Sequence, residues 1–352
     1  MNAFGGFIQI GSSETAENFF SAANDFFETS FQEVSKKRSE GFACWNGSSS
    51  SVDVVSSSDT IHESSCKRYL LTGYFRLDYR DELGDKLGIR YADLAETHDS
   101  FLALQAFEKW KFDVIYHLEG DWAIVIYDKK NSELFLLRDP IGAAAIFYYQ
   151  QGNQLFFSDN PRFFLALGID FTIDPEQFFK LGLASGKLDD GKTILQGVRT
   201  LKRGEVIAFN GHIRILKQLP ILIPGRKLSF KFDEDYIARF KSTYAAAVRT
   251  RIGKGNTGLF LSAGLDSSML CNFAARELLV LQKKLKTYTS FPKFIDFFPE
   301  EKQHRIREDI AARNFVAGFS NVEACFMDFR DADIAQVLKS NQSDQLAKPL
   351  IK

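Results

Sequence analysis

Two patterns of apolar residues divide the chain, and they change over near residue 217. In the first part, short apolar runs are separated by turn-length polar gaps, the pattern of paired strands. Ala3 to Ile10 predicts an opening strand, and Glu17 to Val34 has helical spacing through Phe19, Phe20, Ala23, Phe27 and Phe31. Trp45-Asn46-Gly47 reads as a turn, and the serine-rich patches around Val52 to Val55 read as a loose hairpin or a solvated linker. Tyr69 to Arg80 predicts a strand running into a turn, and Asp81 to Gly88 a short helix ended by glycine. His98-Asp99-Ser100 caps a helix over Phe101 to Trp110. Trp122 to Tyr127 alternates as a strand, and Lys129-Lys130-Asn131 turns it onto Glu133 to Arg138. Ala145 to Gln150 and Leu155 to Ser158 form the next hairpin, followed by a helix around Asn160 to Leu167. Strand following strand at this spacing makes antiparallel sheets with flanking helices, an α+β arrangement.

Pro220 and Pro224-Gly225 mark a linker, after which strands and helices alternate. Phe232 to Arg249 predicts an amphipathic helix leading to the apolar strand that ends at Leu259-Phe260-Leu261. Ser262 to Ser268 then turns into a helix from Ser267 to Lys283, with Met269, Leu270, Phe273, Ala274 and Leu278 on one face and Asp266 or Ser267 as N-cap. Leu285 to Phe291 is the next strand, His304 to Ala317 a helix, and Asn321 to Asp328 a third strand. This alternation predicts a doubly wound parallel sheet with ligand at the carboxyl ends of its strands. The fold class is α/β overall, with domains 1–217 and 218–352.

Composition changes this picture little. Hydrophobic residues make up 45% and charged residues 25%, which describes a globular chain long enough for two cores. The net charge is −1 and the longest basic block is Lys36-Lys37-Arg38, so a nucleic-acid surface is not expected. The four cysteines, Cys44, Cys66, Cys271 and Cys325, form no Cys-x-x-Cys pair, which argues against structural zinc. Scattered cysteines without a signal peptide point to the cytoplasm, and no apolar run has the length of a membrane span.

The candidate chemistry sits at Ser262-Ala263-Gly264-Leu265-Asp266-Ser267-Ser268. A strand, a turn of small residues and a helix N-terminus aim free N–H groups at an anion, although any βα turn shares that geometry. The Lys of a P-loop is absent, so γ-phosphate transfer is not the natural reading. The residue identities resemble the Ser-Gly-Gly-x-Asp-Ser pyrophosphate loop of ATP pyrophosphatases, most of all the asparagine synthetase branch. That resemblance implies ATP and Mg²⁺ as cofactors and adenylylation of a carboxylate, with release of pyrophosphate before a nitrogen attacks. It assigns the N–H groups of Ala263, Gly264, Leu265, Asp266, Ser267 and Ser268 and the hydroxyls of Ser262, Ser267 and Ser268 to the phosphate oxygens. It gives Asp266 to Mg²⁺ and backbone contacts to adenine at Leu261 and Ser290, which otherwise read as plain parallel-strand positions. Glu308 corresponds to a further acidic residue of the family or to a solvated helix face. Ala263 departs from the family's Gly and fits the turn only with negative φ.

A second resemblance covers about residues 70 to 210. Leu118-Glu119-Gly120-Asp121-Trp122-Ala123, Arg138-Asp139-Pro140-Ile141-Gly142 and Arg76-Leu77-Asp78-Tyr79-Arg80-Asp81-Glu82-Leu83 are similar, in order, to segments of the family's class II glutamine amidotransferase domain. A sandwich of two sheets between helices is therefore expected. The glutaminase chemistry does not carry over. That class uses an N-terminal Cys whose α-amino group is the base, whereas this chain opens Met1-Asn2-Ala3-Phe4 and its first cysteine is Cys44. Thr72-Gly73 stands where the family has its oxyanion-hole Asn-Gly, and Thr lacks the NH₂ donor. Asp99 matches the ligand of the glutamine amino group, and it also reads as a helix cap. An inactive glutaminase, as in β-lactam synthetases and lasso-peptide cyclases, is expected, with no intact catalytic residue.

Family members continue beyond the counterpart of Lys352, and Ser343 to Pro349 is similar to the segment before their second acidic motif. The chain thus resembles a truncated member, with a homodimer or a complementing C-terminal fragment as possible partners and a small-molecule or peptide carboxylate as substrate. An inert nucleotide-binding scaffold is the alternative. A tRNA-modifying pyrophosphatase shares the loop but needs a basic surface that this sequence lacks.

Overall fold

The computed structural model describes residues 2–11, 16–48, 61–94, 96–184, 188, 190–220, 225, 227–253, 255–262, 264–291, 297–300, 302–303 and 307–327. These fall into two compact units, 2–220 and 225–327. In chain order the first unit contains β1 (Asn2–Gln9), α1 (Ala16–Ser30), β2 (Glu33–Ser39), β3 (Phe42–Ser48), β4 (His62–Glu63), β5 (Tyr69–Leu77), α2 (Arg80–Leu87), α3 (Tyr91–Leu94) and α4 (Asp99–Trp110). It continues with β6 (Gly120–Asp128), β7 (Glu133–Arg138), β8 (Phe147–Gln151), β9 (Gln154–Ser158), α5 (Arg162–Ala166), α6 (Pro175–Phe179), β10 (Arg199–Thr200), β11 (Glu205–Phe209) and β12 (Ile213–Gln218).

These strands form two six-stranded sheets, ordered β10-β8-β9-β1-β3-β2 and β12-β11-β7-β6-β5-β4, with every pairing antiparallel. Alternation along each strand gives each sheet two apolar faces, so three separate cores result. Phe4, Ile8, Phe42, Val125, Tyr127 and Phe157 fill the space between the sheets. Phe27, Trp45 and Phe163 fill the layer under α1 and α5, and Leu102, Phe107 and Trp122 the layer under α4. The result is the expected four-layer sandwich. Its aromatic content is used here: Trp45 and Phe27 stack with planes 11° apart, and both are fully buried. Burial of each such ring contributes about 2–3 kcal/mol.

Two local expectations are corrected in this unit. The helix from Glu17 ends at Ser30 rather than Val34, because Val34 has joined β2 opposite Gly47. Trp45-Asn46-Gly47 is not a turn but the middle of β3. Gly47 is there because Phe31 packs on it: a Cβ would lie 2.5 Å from that ring. The serine-rich segment from 49 to 60 lies outside the described residues.

The second unit contains α7 (Asp233–Arg251), β13 (Thr257–Phe260), α8 (Leu265–Val280), β14 (Leu285–Ser290), α9 (Glu308–Val316) and β15 (Val322–Met327). Its strands are parallel in the order β13-β14-β15, joined through helices, so this half is parallel α/β. Val248, Leu261, Cys271, Leu278, Leu285 and Ala312 form its core. Arg249 on α7 holds Glu277 on α8 through two bonds of 2.8 and 2.9 Å. Helix α8 starts at Leu265 with Gly264 as N-cap, two residues before the predicted start, and neither Asp266 nor Ser267 caps it. His304, Asp328 and the segment from Ser343 to Pro349 are outside the described residues.

Candidate functional site

The loop between β13 and α8 sits at the carboxyl edge of the parallel sheet. Leu261 is buried there, its N–H donating to Tyr288 O at 2.8 Å and its carbonyl accepting the Thr289 hydroxyl at 2.7 Å. Its backbone is therefore tied to β14, which leaves a second carbonyl lone pair for any further contact. Ser290, exposed, ends β14 on the same edge.

Ser262 and Ser267 close the loop on itself. Their hydroxyls lie 2.9 Å apart, Ser262 N–H donates to Ser267 Oγ at 3.2 Å, and Ser267 Oγ donates to Ser262 O at 3.0 Å. Gly264 N–H donates to Ser262 Oγ at 3.2 Å. The two hydroxyls that the sequence assigns to phosphate oxygens thus shape the turn. Ala263 is outside the described residues. Ser268 N–H bonds Gly264 O at 3.1 Å, so the N–H groups of Leu265, Asp266 and Ser267 precede the first intrahelical bond and point out of the helix end. Asp266 is exposed in this first turn. Among the described residues no three His, Cys, Asp or Glu side chains are grouped to cage a metal. A single exposed carboxylate fits a magnesium that arrives coordinated by phosphates. Glu308 begins α9.

The residues assigned to the glutamine pocket separate along β5. Thr72 is buried opposite Val125, and its Oγ1 has no hydrogen-bond partner. Gly73 has φ +149° and its Cβ would lie 2.0 Å from Ala123 O, so no side chain fits. Its carbonyl accepts Asn46 Nδ2 at 3.1 Å from the other sheet. Asp99, the first residue of α4, receives on Oδ2 at 2.8 Å the N–H of Leu77, which lies four residues beyond Gly73 on β5. Those four residues span roughly 13 Å. The carboxylate does not cap α4; His98 occupies the cap position without a side-chain bond.

Arg80 is the residue that the sequence reading left without a role. Its guanidinium lies 2.9 Å from Asp99 Oδ1 and donates to Leu94 O at 2.8 Å and to Thr97 O. The Oδ1 contact is an ion pair outside hydrogen-bond alignment. Burial pushes the Asp99 carboxyl up, and the Leu77 N–H and the Arg80 and Arg76 charges pull it back without cancelling that rise. Arg80 is placed by Tyr79, which takes the left-handed conformation at φ 49°. One signal for it was present: Arg76-Leu77-Asp78-Tyr79-Arg80 alternates charge with a turn, and Arg76 bridges Asp78 at 2.7 Å and Asp121 at 2.9 Å. Cys44, the first thiol of the chain, is buried and pushed up to about 12 by burial, so it supplies no thiolate.

Comparison with known proteins gives two family matches. The family described as glutamine amidotransferase domain matches residues 77–218, and the one described as asparagine synthase matches residues 239–342. Asparagine synthetase [glutamine-hydrolyzing] 3 of Bacillus subtilis is 26% identical over 198 residues, 55% of this chain and 32% of that protein. A putative asparagine synthetase [glutamine-hydrolyzing] 2 of Methanocaldococcus jannaschii is 28% identical over 198 residues, 54% of this chain and 38% of that protein. These matches span about a third of the length of those relatives. A solved glutamine phosphoribosylpyrophosphate amidotransferase from B. subtilis has a TM-score of 0.41 at 10% identity, covering 93% of this chain and 81% of that one. Two domain types in this order, on an antiparallel sandwich followed by a parallel α/β unit, place the chain in the asparagine synthetase-related family.

Proposed function

We propose that this chain belongs to an ATP-dependent amide-forming ligase whose glutaminase half is inactive. The observation that carries the reading is the β13–α8 turn. An exposed Asp266 and three N–H groups that precede the first intrahelical bond of α8 face outward at the carboxyl edge of a parallel sheet. In the proposed reaction a carboxylate oxygen attacks the α-phosphorus of ATP and the α–β phosphoanhydride breaks. An acyl-adenylate forms and pyrophosphate leaves. A nitrogen nucleophile then attacks the acyl carbon, AMP departs and the amide results. The N–H groups of Leu265, Asp266 and Ser267 would take the negative charge that gathers on the leaving pyrophosphate, and Asp266 would orient its magnesium. Ser262 and Ser267 act as the hinge that holds the turn in that shape.

Three features support an inactive glutaminase: Thr72 in the oxyanion position, the buried neutral thiol of Cys44, and the engagement of Asp99 by Arg80. The nitrogen would then come from free ammonia or from an amine of the acceptor, as in amide closure of a peptide. The acceptor carboxylate belongs to a small molecule or a peptide. A second copy is the partner proposed for the chain, and the setting would be the cytoplasm. Among the described residues no helix is long and apolar enough to cross a membrane.

Exchange of labelled pyrophosphate into ATP tests this, with L-aspartate and a panel of peptide carboxylates as probes. Exchange that falls at least about 100-fold in Asp266→Ala supports the ligase. Exchange unchanged in that variant overturns it. ATP binding by calorimetry with no exchange under any probe favours an inert nucleotide-binding module instead.

A further inference from the structure

Where α4 ends, a recess opens beside the sheet β12-β11-β7-β6-β5-β4, with Tyr69 of β5, Phe135 of β7 and Phe112 among its walls. Its volume is about 300 Å³, at the small end of the roughly 300–1,000 Å³ range of ligand pockets. Three cations rim it: Arg68, Lys111 and Arg214. Two of them are neutralised. Arg68 donates from Nε and Nη2 to Asp128 at 2.9 and 2.6 Å, and Arg214 bridges Glu133. Asp128 also accepts Lys130 N–H and Asn131 Nδ2, so its acceptor positions are used. Among the described residues no carboxylate pairs with Lys111. Its ammonium lies over the rings of Tyr69 and Phe107, 4.8 and 5.2 Å from their centres. The Arg68 guanidinium lies 4.9 Å from the same Tyr69 ring, so two like charges share it. The recess therefore carries one uncompensated positive charge beside apolar walls.

Lys111 is also held in a backbone state that lysine disfavours. It follows α4 at φ 51° and ψ −129°, a region that residues with a Cβ rarely adopt. Glycine would end the helix there without strain, yet the position carries the one unpaired cation of the recess. We propose that this recess binds a small monocarboxylate with an apolar body, ring-bearing or branched, whose charge pairs with Lys111. Arg68 keeps three N–H donors beyond its bonds to Asp128 and supplies a further contact. The apolar body covers Phe112 and Phe135, whose ring centres are 4.8 Å apart. One excess positive charge matches one carboxylate, whereas a phosphate monoester brings about −1.5 to −2. This site belongs to the N-terminal unit and stands apart from the ligase reading.

The test is calorimetric melting of the full chain with small probes at about 10 mM and equal ionic strength. Sodium phenylacetate carries a ring and sodium 4-methylpentanoate a branched body. Sodium acetate supplies the charge alone, and benzyl alcohol the ring alone. For a Kd on the order of 1 mM, at least one of the first two is expected to raise the wild-type melting temperature by about 2–4 °C. Acetate and benzyl alcohol are each expected to shift it by less than about 1 °C. Lys111→Gly relieves the left-handed backbone, so it is expected to melt at or above wild type and to lose the response to both carboxylates. Lys111→Arg keeps the charge and is expected to retain at least about half of the shift. No shift of wild type by either carboxylate, an equal shift by acetate or benzyl alcohol, or an undiminished shift in Lys111→Gly overturns the inference. So does a Lys111→Gly protein that melts more than about 5 °C below wild type, because the lysine would then be there for the fold, or a Lys111→Arg protein that does not respond.

Discussion

Asp159 allows a quantitative test of how the first strand is fastened. Its Oδ1 accepts Phe4 N–H at 3.0 Å, its own N–H returns to Phe4 O at 3.2 Å, and Ser158 Oγ donates to the same carbonyl at 2.7 Å. Burial pushes the carboxyl from its ordinary 3.8 up to about 8, against the pull of the Phe4 N–H. The folded state therefore binds a proton that the unfolded chain releases above pH 4. This contribution to stability is complete below the unfolded value and is lost as pH rises through about 8. Inside that window each pH unit is worth about 1.4 kcal/mol, so the ceiling from pH 5 to 7 is about 3 kcal/mol. The residue as a whole keeps some solvent contact, which halves the figure to about 1.5 kcal/mol. For a unit of this size that is a fall in melting temperature of about 3–6 °C. Asp159→Asn keeps an acceptor for Phe4 N–H and cannot titrate. Calorimetric melting of both proteins at pH 5 and 7 separates this group from all other carboxylates. Wild type should lose about 3–6 °C more than the variant over that interval. Parallel profiles would refute the reasoning, because the carboxyl would then be ionised in both states.

Other expected outcomes follow from single contacts. Tyr79→Gly relieves a left-handed non-glycine residue and should raise stability by about 1 kcal/mol in urea unfolding, less whatever the ring contributes by packing. Gly73→Ala drives a Cβ to within 2.0 Å of Ala123 O, so β5 and β6 must part; a loss of about 3 kcal/mol or more is expected by the same assay. Asp139 is fully buried and accepts the N–H groups of Ile141, Gly142, Ala143 and Ala144 at 2.5 to 3.1 Å. Asp139→Ala removes the carboxylate from all four donors, of which Gly142 N–H keeps Asp139 O at 3.1 Å, and should cost about 2–4 kcal/mol, visible as a lowered urea midpoint. Asp266→Ala, by contrast, removes an exposed carboxylate and should leave the melting temperature within about 1 °C, so that any loss of pyrophosphate exchange is chemical rather than structural.

The sequence by itself determined the elements whose signals are local. The strands of the sandwich were legible from alternation, α2 from the glycine at its end, and the β13–α8 turn from small residues between an apolar strand and a helical stripe. It determined the order of the two halves and the antiparallel character of the first, because both follow from spacing. Where partners distant in sequence decide a residue's state, local signals misled. Asn46 and Gly47 carry turn chemistry, yet β1 and β2 flank them on either side and Phe31 covers the glycine, so they are strand. Ser262 and Ser267 are hydrogen-bonded to each other, a pairing set by a distance across the turn that their residue types do not show. Asp99 read as a cap or as a receptor for an amine, and tertiary packing gave it to Arg80, 19 positions earlier in the chain. A charge chooses the nearest compensating charge in space once water is removed, and a sequence does not show which one that is.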